Sequence, residues 1–144
     1  SNPYPSMATF DAPSREVCTL RRDSTNTPLQ ALVTLNDPAF VEAAQALARR
    51  VVLNEAANAP DDTVKLQNAF ELCTSRAASD AELQSLLKLL STARQHFGTE
   101  PEAAKQLSSD PLGPLDCPEQ EIELAAWTSV CNVLLNLDEV LMKR

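Results

Sequence analysis

The 144-residue chain holds only two glycines, Gly98 and Gly113. Tight hairpin turns need positive φ, which glycine alone adopts without steric cost. So few glycines leave little room for a sheet built from hairpins, and the composition leans towards helices. There is one histidine, His96, so no histidine-rich metal site can be assembled, and no partner motif for nucleophilic catalysis accompanies it. Its place at the end of an expected helix, where the dipole favours a cation, is explanation enough. Two isolated glycines cannot form a phosphate-binding loop. No run approaches the roughly 18 apolar residues of a membrane span, and the start, Ser-Asn-Pro-Tyr-Pro, lacks the basic and apolar parts of a signal peptide. The four cysteines, Cys18, Cys73, Cys117 and Cys131, include no CxxC pair of a zinc knuckle, redox dithiol or haem site. Buried free thiols are the expectation. Cys117 and Cys131 cannot be bridged if both lie on one helix, because fourteen residues rise roughly 21 Å against a disulfide reach of about 7 Å.

What is present is acid and proline. The net charge is -8, and all of the excess lies in residues 51–144, since residues 1–50 hold five basic and five acidic side chains. That balance repels a phosphate backbone and speaks against nucleic acid as a partner. Of the ten prolines, several stand where a helix should begin. Residues 1–24 carry Pro3, Pro5 and Pro13 without helical periodicity and are expected to form an extended arm anchored by Tyr4, Met7 and Phe10. Residues 25–144 are expected to form a single helical domain.

Thr27-Pro28 and Asp37-Pro38 each pair a capping side chain with a proline at the first helical position, so two helices should meet at a corner near Asp37. The second of them should run to about Asn54 and bury Phe40, Ala44, Leu47, Ala48 and Val51. A third is expected near Thr63 to Thr74, offering Leu66, Ala69, Phe70 and Cys73. Ser79-Asp80-Ala81-Glu82 is a capping box that opens a fourth helix, with stripe Leu83, Leu86, Leu87, Leu90 and Phe97 and with Gly98 as its C-terminal cap. Pro101 opens a shorter helix to about Leu107, and Ser108 to Pro118 reads as a loop. The final helix, about Glu119 to Leu137, is apolar on most of its circumference around Trp127 and should be central. The fold class is therefore all-α, a compact bundle of five to six helices with an extended N-terminal arm.

Candidate chemistry is sparse. Asp110 and Asp116 lack the alternating-oxygen spacing of a calcium loop. Glu119, Glu121 and Glu123 sit in first helical turns, where the dipole stabilises carboxylates. The densest polar stretch runs from Arg21 to Gln30. Its side chains could set two guanidinium groups beside helix N-terminal amides, which makes Arg21, Arg22, Asn26 and Gln30 candidate anion-binding residues. The alternative is that the arginines tie the arm down while the threonines and asparagines cap and turn. Thr27, Asp37, Ser79 and Gly98 are expected as structural caps. No catalytic residue, metal ligand or cofactor is predicted.

TFDAPSREVCTLRRDSTNTPLQALVTLNDPAFVEAAQALA, residues 9–48, resembles the signature of a planctomycete domain family of unknown function. Ser75-Arg76 with SDAEL, PEAAKQL at 101–107 and ELAAWTSVCNVLLNLDEVLMKR at 123–144 extend the resemblance along the chain. It implies the C-terminal fragment of a large exported protein, periplasmic or envelope-associated, often with a cytochrome-c-like domain and a second uncharacterised domain upstream. It supplies no catalytic residues. The functional expectation is a non-catalytic interaction or scaffold module that packs against upstream parts of its own chain. The alternatives are part of an extracytoplasmic enzyme, perhaps acting on polysaccharide, in which Arg21, Arg22, Asn26, Gln30 and Asp37 line a pocket, or an accessory to haem electron transfer.

Overall fold

A computed structural model describes residues 37–53, 61–114 and 120–141. Among these residues six helices follow one another: α1 (Pro38–Leu53), α2 (Asp62–Thr74), α3 (Asp80–Thr99), α4 (Pro101–Ser109), α5 (Glu121–Leu135) and α6 (Asp138–Leu141). No strand occurs among the described residues, and the chain is an all-α bundle. The N-terminal arm and the Thr27-Pro28 helix start lie outside the described residues.

Each helix start has a local cause. The Asp37 carboxylate accepts the Ala39 amide at 2.9 Å, and Pro38 occupies the first position, where a missing N–H costs nothing. Asp61 does the same for α2, accepting from Thr63 at 3.0 Å. Ser79 and Glu82 form the reciprocal box that opens α3, the serine accepting the Glu82 amide and the glutamate accepting the Ser79 amide.

Two expected helix ends are corrected. Gly98 is not the C-terminal cap of α3: the helix continues to Thr99 and Glu100 holds the cap position, donating its amide to the His96 carbonyl at 3.1 Å. Pro101 supplies the reason for the stop there, since it restricts the residue before it and cannot donate a helical hydrogen bond. The terminal helix also stops short of Leu137. At its end the amides of Asn136 and Leu137 turn to the carbonyls of Val133 and Leu134, three residues back, which tightens the last turn. A new turn then starts, with the Val140 and Leu141 amides donating to the Leu137 carbonyl.

α5 is the axis. It packs on α1, α3, α4 and α2, and buries Leu124, Ala125, Ala126, Trp127, Thr128, Val130, Cys131 and Leu134. Trp127 is fully enclosed. Ala44 and Ala48 on α1 and Ala104 on α4 are fully buried too, and such small side chains let neighbouring backbones approach closely. Around them close Leu66, Phe70, Leu90, Ala93 and Phe97 from α2 and α3. The apolar circumference expected for α5 is not buried all round. Ile122 and Val133, eleven residues apart and so nearly on one line of a 3.6-residue helix, are 40% and 38% exposed. Phe40 and Leu47, expected in the core, are only partly buried.

Candidate functional site

Among the described residues, polar side chains cluster at three places, two inside the bundle and one at its surface. The first lies where α2, α3 and α5 meet. Arg94 of α3 donates to both carboxylate oxygens of Asp62, at 2.6 and 3.0 Å, and to both oxygens of Glu123. Glu123 also accepts the indole N–H of Trp127 at 2.9 Å. One guanidinium fork thus spans two carboxylates on different helices, and the buried indole donor is satisfied by the same glutamate. The Arg94 hydrogen bond, assisted by its charge, holds the Asp62 carboxyl below its usual value. Burial would raise Glu123, but the hydrogen bonds from Arg94 and Trp127 together with the Arg94 charge outweigh it and lower that group also. The hydrogen bonds to Glu123 and Asp62 raise Arg94, so it stays cationic.

The second place is the turn after α4. Gln45, 1% exposed, donates to the carbonyls of Leu107 and Asp110 at 2.6 and 2.5 Å and accepts the Leu112 amide at 3.2 Å. Arg49, one helical turn later, donates to the carbonyls of Ser108 and Gly113 at 3.0 and 2.6 Å. α1 thereby supplies partners to the orphan carbonyls at the end of α4, and a cation there suits the helix dipole. Gly113, at φ +93°, takes a conformation that only glycine adopts readily. Arg49 Nε is buried and has no hydrogen-bond partner.

The third place is exposed. Arg76, in the α2–α3 turn, donates to Glu82 at 2.7 and 3.1 Å and to Glu139 of α6 at 2.7 and 2.9 Å, with its guanidinium 4.7 Å above the Phe70 ring. Hydrogen bonds from Arg76 and from the Ser79 backbone hold Glu82 down, to about 2. Beside this cluster runs an apolar trough of about 330 Å³ between α3 and the α5–α6 end, lined by Phe70, Ala81, Ser85, Leu86, Val133 and Leu137.

The candidate anion-binding residues Arg21, Arg22, Asn26 and Gln30, and the cap Thr27, lie outside the described residues, as do Asp116 and Glu119. Asp37 and Ser79 cap helices as described above. Asp110 is exposed, and its carbonyl rather than its carboxylate is engaged by Gln45. His96 is exposed, its Nδ1 3.9 Å from Glu100 and its ring edge-on to Phe97. Cys73 is half-buried and Cys131 buried, both as free thiols raised by burial, Cys131 also by the nearby Cys73. Among the described residues, no group of three or more His, Cys, Asp or Glu is placed to hold a metal ion. Among the same residues, no helix is long and apolar enough to cross a membrane.

Sequence reasoning missed all three polar clusters, yet two carry a readable signal. Gln45 interrupts the apolar helical line Val41, Ala48, Val52, and Arg94 interrupts Leu87, Leu90, Phe97. A polar group on an apolar face must find an internal partner, because burying it unpaired is costly. The Arg76–Glu139 pair, 63 residues apart, leaves no such local trace.

The class defined by these elements is a helical bundle whose interior polar groups tie helices to one another. The chain belongs to the PSD1 family, proteins of unknown function (DUF1553), whose profile matches residues 1–90. That match spans the 9–48 signature and the SDAEL capping segment, while 101–107 and 123–144 lie beyond it. No curated protein and no solved structure matches the chain.

Proposed function

We propose that this chain is a non-catalytic helical interaction module, the C-terminal part of a larger exported protein of planctomycete type, working in the periplasm or cell envelope. Its partners are upstream domains of its own parent chain, in the resembling proteins often including a cytochrome-c-like domain. One observation carries the reading: the two charged or amide clusters that reach inside the described bundle are built from contacts between its own helices and turns. Arg94, Asp62 and Glu123 lock three helices, and Gln45 and Arg49 lock a turn. Groups already saturated by such partners are poorly placed to bind a substrate or move its protons.

In this reading the arm and the Arg21–Asn36 corner would pack against the upstream domains, where Arg21, Arg22, Asn26 and Gln30 would pair with carboxylates or carbonyls. The test uses the full-length parent protein with and without Arg22→Ala, screened against sulfated and neutral glycans. Limited proteolysis of the junction between this chain and the upstream domains runs in parallel. The expected result is faster cleavage at the junction in the variant and no turnover of any glycan by the chain itself. Turnover that Arg22→Ala abolishes while the junction stays protected would replace the scaffold with an enzyme whose pocket includes that arginine.

A further inference from the structure

We draw no further inference here: the strongest candidate, the apolar trough between α3 and the α5–α6 end, has its flanking carboxylates Glu82 and Glu139 engaged by Arg76, and nothing in the structure shows what covers it.

Discussion

Two arginines in this bundle make nearly the same hydrogen bonds and do different work. Arg94 and Arg76 each place one guanidinium between two carboxylates from different elements, and each touches both oxygens of both partners. The Arg94 group joins α2, α3 and α5 and ends on the buried indole of Trp127 through Glu123. The Arg76 group joins a turn, the start of α3 and the short α6, and ends on the face of Phe70, open to water. Geometry alone therefore does not rank them. What ranks them is what each ion pair is attached to: exposed pairs exchange water contacts for protein contacts at little gain, whereas a group that also satisfies a buried donor cannot be removed cheaply.

The largest way to break this contrast is to remove what the Arg94 cluster rests on. Trp127→Ala empties the fully enclosed centre of the core and should cost about 3–5 kcal/mol of unfolding free energy, read from urea denaturation followed by circular dichroism. A loss below about 1 kcal/mol would mean that the axis of the bundle does not run through Trp127. The next step keeps the indole and removes its acceptor. Glu123→Leu should cost about 2 kcal/mol, a figure already reduced for the partial solvent access of the cluster. Glu123→Gln should cost about half as much, since an amide oxygen can still accept from the Trp127 N–H. Equal losses from the two would show that charge, not the indole hydrogen bond, carries the cluster.

Acid sharpens the contrast. Asp62 and Glu123 are both lowered in the folded protein, so their stabilising contribution is complete above the ordinary carboxylate range, about pH 4–4.5. It is lost as pH falls through the lower, folded values. Arg94→Leu removes the main cation behind both shifts, so stability measured from pH 6 down to pH 2 should fall less steeply in that variant than in the unmodified protein. Parallel curves would separate the acid response from this cluster.

The legible part of this fold was written in starts and stripes. Asp37-Pro38, the Ser79–Glu82 box and Pro101 are local devices whose physics acts within four residues, so they can be read without knowing what lies across the core. The run around Trp127 identified the axis for a similar reason, because a helix so apolar has to be enclosed. The Gly98 end was misread because glycine marks a stop only where the chain needs positive φ, and the following Pro101 imposed the stop two residues later. The polar ties were hidden for a different reason. Gln45 meets its turn at residues 107–112 and Arg76 meets Glu139 only after the bundle has closed, and no spacing along the chain encodes such meetings. The exposure of Val133 has the same ground: its helix supplies apolar side chains all round, and only the neighbours decide which of them stay open.

The smallest expected effect belongs to Arg76, and it tests the comparison most directly. Arg76→Ala removes both of its ion pairs at once, yet Glu82 keeps its bond to the Ser79 amide at 2.8 Å, so α3 should start where it does now. The variant should melt closer to the unmodified protein than Arg94→Leu does, with unchanged helical signal, and the small difference should vanish in about 1 M salt, where the screening length falls to roughly 3 Å. Glu82→Ala serves as the internal reference, because it removes the same ion pair and the capping bond together and should loosen the first turn of α3. If Arg76→Ala instead proved as damaging as Arg94→Leu and resisted salt, the indole beneath Glu123 could not be what separates the two arginines. The covering of Phe70 by the guanidinium would then be the contact that matters at this end of the bundle.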